Sequence, residues 1–176
     1  LVPPQGYLQR LREICTQHSI LLIFDEVITA FGRMGKWTSA EYFGVTPDIM
    51  NTAKQVTNGA IPMGAVIASS EIYTTFMNQA MPEHMAEFGH GYTYSAHPVA
   101  CAAGLASLEL LKRDNLLEQS AALAPVFEEK LHGLKGSKHV LDIRNCGLAG
   151  AIQINPRDGD GVIRPFEAGM KLWQAG

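Results

Sequence analysis

The chain has 176 residues, of which 47% are apolar and 18% are charged, and its formal net charge at pH 7 is -3. This composition is typical of a globular chain with a sizeable core and excludes a disordered one. The weak charge without a basic block argues against a nucleic-acid partner, and no apolar run approaches the ~20 residues that span a membrane. Three scattered cysteines indicate a reducing compartment and no disulfide framework, so we expect a cytoplasmic protein.

The first predicted elements are a helix and a strand with a short connection. The helix begins at Pro3 and Pro4 and runs to about residue 18. Its apolar positions follow the helical period and predict one buried face: Leu8, Leu11, Ile14 and Cys15. Residues 21–24 are all apolar and are followed by two acids, which predicts a strand buried on both faces with its polar end at the sheet edge. This alternation favours an α/β fold with a mostly parallel sheet.

The middle of the chain continues the sheet. Residues 28–44 mix glycines and aromatics without a period and predict a long loop with one helical turn near Ala40. Strands are predicted at 49–53 and 65–68, joined by a Gly/Pro-rich turn. A tight connection between them predicts an antiparallel edge on the parallel sheet.

The rest of the chain is predicted to contain more helix and a pair of strands. Four helices are predicted, from Ser69 or Ser70 to 77, from Pro98 to 113, from 116 to 134 and from 165 to 174. Two strands are predicted at 140–144 and 148–154, and a turn cluster at 155–161. We place a domain boundary near residue 114, where the α/β alternation gives way to helix followed by paired strands.

Two ionisable residues follow the first two strands, where ligands bind in open α/β sheets. Asp25 ends the first strand and Lys54 follows the second. A pyridoxal cofactor needs a lysine for its Schiff base and a carboxylate that keeps its ring nitrogen protonated, and a strand-end lysine that is partly desolvated is available as a neutral amine. Thr93, ahead of the helix at Pro98, could offer a hydroxyl and a helix N-terminus to the cofactor's phosphate. Each residue also has an ordinary alternative as a cap, a surface charge or a turn residue.

These motifs together resemble the class III pyridoxal-phosphate aminotransferases, over almost the whole chain. The matching residues are 24–27, 31–35, Pro47, Asp48, Lys54, Gly59, Gly64, Ala65, 91–93, His97, Pro98, 142–144 and 147–148. Within the family, residues 58–65, 152–153 and 156–160 are most similar to the ω-amino acid (β-alanine):pyruvate aminotransferases. Two positions depart from the wider family, Ile28 where glutamine is common and Ala30 where glycine is common.

The resemblance implies a role for each site residue. Lys54 would be the catalytic Schiff-base lysine and later move the proton on the substrate carbon. Asp25 would pair with the ring nitrogen, Val27 would pack on the ring face, and Thr93 would reach the phosphate in the neighbouring subunit of a homodimer or homotetramer with shared active sites. The implied activity is transfer of an amino group from an ω-amino acid or amine, such as β-alanine, to pyruvate, which gives an aldehyde or semialdehyde and alanine.

The resemblance also implies an α/β chain of fold type I that is part of a longer enzyme. Residues 1–114 would be the C-terminal part of the large cofactor-binding domain, with helices on both faces of its sheet. Residues 115–176 would begin a smaller α+β domain. The family's phosphate loop and substrate-carboxylate arginine are not found here, and Arg164 is a poor substitute, so the piece alone is expected to be inactive.

Three alternatives remain open at this stage. Residues 21–26 also look like the Walker B strand of a P-loop ATPase, although residues 32–37 lack the GxxxxGK[ST] spacing. A non-catalytic aminotransferase homologue would keep the same motifs. A metal site at His84, Glu87, His90 and His97 is disfavoured because Gly89 and Gly91 interrupt any helix there, so no metal is expected.

Overall fold

In the computed structural model, residues 1–78, 82, 88–154, 170–171 and 173–175 are described. In chain order the elements are α1 (Tyr7–Gln17), β1 (Ile23–Asp25), α2 (Ser39–Phe43), β2 (Ile49–Thr52), a 3₁₀ turn (Lys54–Val56), β3 (Ala65–Ala68), α3 (Ser70–Met77), α4 (Pro98–Arg113), α5 (Leu116–His132), β4 (Val140–Cys146) and β5 (Ala149–Ile154). The predicted turn cluster at 155–161 lies outside the described residues, as does most of the helix predicted over 165–174.

The first sheet has the strand order β1-β2-β3. β1 and β2 are parallel, with Ile23 opposite Ile49 and Asp25 opposite Asn51. β2 and β3 are antiparallel, so the predicted antiparallel edge beside a parallel pair is confirmed. The two parallel strands therefore end at the same edge of the sheet, which is where Asp25 and Lys54 lie.

β1 is buried on one face rather than on both, so that part of the prediction is wrong. Leu22 and Phe24 pack with Cys15 and Val45 in a small core beneath α1. Leu21 and Ile23, on the other face, are 56% and 53% exposed. The strand also begins two residues later than predicted and includes Asp25.

α1 begins at Tyr7, four residues after the predicted start. Gly6, with φ 80°, is its N-cap, and the two prolines precede the helix. Cys15 is buried as predicted, but Ile14 is 37% exposed because it lies at the border of the buried face.

Asp48 ties α1 and the starts of both parallel strands together. Its Oδ2 accepts a hydrogen bond from Arg12 Nη1 at 2.7 Å and from the Leu22 backbone N–H at 2.6 Å. The Arg12 hydrogen bond and the Leu22 N–H hold the pKa of the Asp48 carboxyl below its usual value. This contact fixes the register of β1 against β2, on which the position of the strand ends depends.

The second half of the described chain packs against the loop that follows β1. α4 begins at Pro98 as predicted, and Asn115, with φ 50°, separates α4 from α5. β4 continues to Cys146, two residues beyond its predicted end, and pairs antiparallel with β5 through a turn at Gly147 and Leu148. None of the described helices is long and apolar enough to cross a membrane.

Close contacts cross the predicted domain boundary at residue 114. A Cβ on Gly35 would lie 2.8 Å from the Ala121 Cα of α5. A Cβ on Gly147 would lie 2.7 Å from the Arg33 carbonyl oxygen, and the Leu148 N–H donates to that same oxygen at 2.9 Å. The loop after β1 is thus held by α5 and by the β4–β5 turn, and the boundary itself stays a prediction.

Candidate active site

Asp25 and Lys54 lie at the ends of two neighbouring parallel strands. Asp25 is the last residue of β1 and pairs with Asn51 of β2, and Lys54 follows β2 by two residues. Partners in a parallel pair share a face of the sheet, so Asp25 and Asn51 point to the same side. Three residue steps separate Asn51 from Lys54, so their Cα atoms are about 10 Å apart along the extended chain. The structure therefore brings a carboxylate and an amine to one edge of the sheet.

The backbone of Lys54 turns sharply at the end of β2. Its φ is 49°, in the left-handed region that costs about 1–2 kcal/mol for a residue with a Cβ. The turn that it opens is held from α4, where the Ser107 hydroxyl donates to the Gln55 carbonyl at 3.2 Å. Gly104 lies close to the same turn, since a Cβ there would be 3.7 Å from the Val56 carbonyl oxygen. The small residues of α4 thus support the lysine, and backbone strain of this kind is concentrated at functional sites.

The Lys54 side chain is exposed, so the partial desolvation predicted from the sequence is not provided by the described residues. In this respect the sequence-based expectation is wrong for the chain by itself.

The Asp25 carboxylate is available to a ligand. Its Oδ1 accepts the Val27 N–H at 3.1 Å, which fixes the turn after the strand. Within the part of the chain that the structure describes, no ion pair includes Asp25 or Lys54. Val27 is half-buried and stands next to this carboxylate in the chain. A carboxylate that has no ion-pair partner and is oriented by a backbone N–H is suited to accept a hydrogen bond from the N–H of a bound ring.

Glu26 has the opposite environment from its neighbour Asp25. Its side chain is fully buried. The two carboxylate oxygens accept from the Ser39 N–H at 2.9 Å, the Ser39 hydroxyl at 2.7 Å, the Ala40 N–H at 2.8 Å and the Thr29 hydroxyl. These donors belong to the first turn of α2 and to the loop that leads to it.

Thr93 is not brought into the Asp25–Lys54 pair within one chain. It lies exposed in a turn that is closed by a hydrogen bond from the Ser95 N–H to the Tyr92 carbonyl at 2.9 Å. No hydrogen bond between described residues joins Thr93 to Asp25 or Lys54. Its predicted contact is with a neighbouring subunit, and it stays a prediction.

The P-loop alternative does not fit the loop after β1. The backbone N–H groups of Phe31, Gly32 and Gly35 donate to carbonyls inside the loop, at 2.7, 3.1 and 2.8 Å, and are not free to hold a phosphate. Glu26, which would activate water in such a site, is buried under protein donors. Among the described residues no group of three potential ligands gathers around a metal, while His84 and Glu87 of the predicted set lie outside those residues.

Comparison with known proteins decides the family. Residues 1–176 match the aminotransferase class-III family. The chain belongs to the class III aminotransferases. It is 80% identical, over all of its residues, to a beta-alanine–pyruvate aminotransferase of Pseudomonas aeruginosa, and 72% identical to an omega-amino acid–pyruvate aminotransferase of Pseudomonas putida. The chain spans 39% of each of these curated relatives.

A solved structure shows that the fold is shared as well. An (S)-enantioselective omega-transaminase from Thermomicrobium roseum superposes with a TM-score of 0.81 at 38% identity, over 87% of this chain and 33% of that one. The chain therefore has the fold of part of the fold-type I transaminases, as predicted, and nothing in these comparisons favours a P-loop ATPase.

Class III aminotransferases depend on pyridoxal 5'-phosphate, which confirms the predicted cofactor. The donor set of this chain fits it. The ring nitrogen needs an acceptor, which the unpaired Asp25 carboxylate would provide, and the aldehyde carbon needs an amine, which Lys54 would provide from the end of the neighbouring strand. The individual roles of Asp25, Val27, Lys54 and Thr93 stay predictions.

Glu26 is the residue whose role the sequence-based interpretation missed. It included Glu26 in the family motif at 24–27 and in a possible Walker B motif, but it gave this residue no role in an aminotransferase site. The signal that could have identified its partners is the sequence Thr38-Ser39-Ala40-Glu41, which has the S/T-x-x-E spacing of a helix N-terminus. In the structure Thr38 is the N-cap of α2, and its hydroxyl accepts the Glu41 N–H at 3.0 Å. The first two N–H groups of that helix, those of Ser39 and Ala40, donate to Glu26.

Proposed function

We propose that the complete protein transfers an amino group from an ω-amino acid or amine, such as β-alanine, to pyruvate, and forms alanine and an aldehyde or semialdehyde. The observation that carries the proposal is the placement of Asp25 and Lys54 at the ends of adjacent parallel strands. The names of the two relatives at 80% and 72% identity, which specify beta-alanine or an omega-amino acid with pyruvate, support the substrates.

Each of the two residues has a distinct task in this reaction. The Asp25 carboxylate accepts the ring N–H and keeps that nitrogen protonated. Lys54 Nζ would hold the cofactor through its aldehyde carbon, with loss of the aldehyde oxygen as water, and once displaced by the amine donor it would take and return the proton of the substrate carbon. When bound, the cofactor supplies a ring that withdraws the electron pair left by that proton. The half-buried Val27 side chain would cover the ring, and its position next to Asp25 in the chain supports this role.

The complete protein is proposed to be a cytoplasmic homodimer or homotetramer in which Thr93 reaches the phosphate of the partner subunit's cofactor. Exposed aromatic side chains around it support an interface, because Tyr92 and Tyr94 are 77% and 80% exposed. Such aromatic residues are enriched in the buried centres of protein interfaces. The free cysteines are consistent with a reducing compartment.

Replacing Lys54 with alanine in the full-length protein tests the catalytic assignment. Formation of alanine from β-alanine and pyruvate should fall by roughly 10²- to 10⁴-fold or more, which is the range for loss of a positioned general acid–base. Asp25→Asn should retain the cofactor more weakly and slow the reaction strongly, since the ring nitrogen loses its ionic acceptor. The visible absorption band of the bound cofactor, followed on addition of β-alanine and then pyruvate, reports each half of the reaction.

Lys130→Ala and Glu129→Gln are the matched controls. Both residues are exposed in α5, and neither makes an ion pair among the described residues, so the loss of one charge there should leave turnover unchanged. Undiminished turnover by Lys54→Ala would refute the catalytic role. A wild-type protein that binds the cofactor without any turnover of amine donors would favour the non-catalytic homologue.

A further inference from the structure

Glu26 continues β1 beyond Asp25 while its side chain points to the other side. Its backbone N–H donates to the Asn51 carbonyl at 2.8 Å, so residue 26 is still held by the β1–β2 ladder. Successive side chains of a strand alternate between faces. Asp25 is exposed at the site edge, and Glu26 is fully buried beneath it. One short segment thus presents a carboxylate outward and anchors itself with another carboxylate inward.

The anchoring contacts close the loop between β1 and α2. Glu26 Oε1 accepts from the Ser39 hydroxyl and the Ala40 N–H, and Oε2 accepts from the Ser39 N–H and the Thr29 hydroxyl. A carboxylate has about four acceptor sites on its two oxygens, and all four are used. Residue 26 is thereby joined to residues 39 and 40, and the intervening loop returns to the strand end. None of these contacts reaches the solvent side where Asp25 lies.

We propose that Glu26 is a positioning residue, which fixes the Asp25 carboxylate in the direction required by the cofactor's ring nitrogen. The inference rests on the proposed function. The Asp25 side chain has one hydrogen bond among the described residues, from the Val27 N–H, and that bond belongs to the turn that Glu26 holds. If Glu26 is released, the turn and the carboxylate direction are both freed, although the carboxylate remains present.

Glu26→Gln is the sharpest single change because it keeps size and shape. The new amide NH₂ must replace either Oε1, which receives the Ala40 N–H, or Oε2, which receives the Ser39 N–H. In either orientation it faces a backbone donor that cannot turn away, so one donor loses its acceptor. The buried anchor is broken without a change at Asp25.

The experiment is a double-mutant cycle in the full-length protein, with Glu26→Gln, Asp25→Asn and the two changes combined. The readouts are the dissociation constant of pyridoxal phosphate and the pH midpoint of the bound cofactor's visible absorption. In the wild-type background Glu26→Gln should weaken cofactor binding by roughly 10- to 100-fold, as for outer partners that orient ligating groups, and it should shift the midpoint. In the Asp25→Asn background the same change should have little further effect, because the group that it orients has lost its charge.

A purely structural role gives a different result. If Glu26→Gln weakens binding by the same factor with and without the Asp25 carboxylate, or leaves the pH midpoint in place, Glu26 does not act through Asp25 and the inference is overturned. If wild-type protein transaminates β-alanine while Glu26→Gln binds the cofactor normally, the inference fails and the proposed function stands. If wild-type protein binds no cofactor and turns over no amine, the proposed function is refuted, and the inference that rests on it is refuted with it.

Two further variants keep the test valid if Glu26→Gln does not fold. Ser39→Ala removes one hydroxyl donor and keeps both backbone donors, so it should weaken cofactor binding in the same direction by a smaller factor. Glu41→Gln is the matched control, because Glu41 is on the same helix and accepts the Trp37 N–H at 3.0 Å without touching the strand end. That control should bind the cofactor as the wild type does. A Ser39→Ala protein that is folded and binds as tightly as the control would overturn the inference.

Discussion

Replacing Gly35 with alanine should destabilise the contact between α5 and the loop that follows Asp25. Gly35 has φ 71°, and a Cβ built on it would lie 2.8 Å from both Ala121 Cα and Ala121 Cβ and 3.0 Å from Ala121 N. These are backbone atoms of a helix and its first side-chain carbon, and they cannot move independently of the helix. The substitution therefore requires the loop and α5 to separate.

The magnitude has two parts. Alanine in the left-handed region costs about 1–2 kcal/mol. Carbon atoms pack best at about 3.5–4.0 Å, so the new methyl group demands a displacement of about 1 Å, and overpacking of this size costs about 1–3 kcal/mol. Together the free energy of unfolding should fall by roughly 2–5 kcal/mol.

Gly44→Ala separates these two parts. Gly44 has φ 65°, similar to that of Gly35, but nothing lies within 4 Å of the position of its Cβ. It should show only the backbone cost, so the difference between the two variants isolates the contact with α5. Urea unfolding of the full-length protein, followed by tryptophan fluorescence, measures both variants, because Trp37 lies between Gly35 and Gly44 in the same segment.

Equal destabilisation by Gly35→Ala and Gly44→Ala would refute the packing of this loop on α5. Glycine in a helix interior costs about 1 kcal/mol relative to alanine, so Ala121→Gly alone is the reference for the double variant. Gly35→Ala should cost less in the Ala121→Gly background than in the wild type, because the Cβ overlap at 2.8 Å is removed while the Cα overlap remains. An equal cost in the two backgrounds would also contradict the reasoning.

Two more predictions concern the ties around the site. Asp48→Asn should lower the free energy of unfolding by about 1.5–3 kcal/mol at pH 7, as a charged hydrogen bond from Arg12 is weakened. The Arg12 hydrogen bond lowers the pKa of Asp48 in the folded protein. The stabilisation is therefore fully present above the pKa of Asp in the unfolded chain, ~3.9, and is lost as pH falls through the lower pKa of the folded state. The urea midpoints of variant and wild type should converge only below about pH 4. Gly147→Ala should lower the urea midpoint because its Cβ would lie 2.7 Å from the Arg33 carbonyl oxygen. Gly136→Ala, with φ 88° and open space around its Cβ, is the control, and equal losses in the two would contradict the close approach.

Local signals in the sequence predicted most of the elements. α4 begins at Pro98 because proline suits the first turn of a helix, and α3 begins after Ser69, whose hydroxyl accepts the Ile72 N–H at 3.4 Å. The antiparallel pairing of β2 with β3 followed from the short glycine-containing connection between them. These features depend on residues close together in the chain, which a pattern captures.

The errors arose where distant parts of the chain decide the outcome. An all-apolar run at 21–24 predicts a strand buried on both faces, but the exposure of Ile23 depends on which other elements cover it. The αL backbone of Lys54 is held by α4, about fifty residues later in the chain. Apart from Thr29, the partners of Glu26 lie thirteen and fourteen residues away, and no periodicity connects them. The location of Asp25 and Lys54 at the ends of adjacent strands was accessible because parallel strands end at the same edge of a sheet.

β1 leaves one side of the described sheet without a hydrogen-bonded neighbour, since it pairs only with β2 there. Its Ile23 side chain is more than half exposed beside those open backbone groups. An open, apolar rim of this kind recruits strands from other molecules, which leads to aggregation. Residues 1–176 produced alone should therefore self-associate through β1. Ile23→Lys should suppress this association, because a charged side chain on an edge strand opposes pairing with another strand.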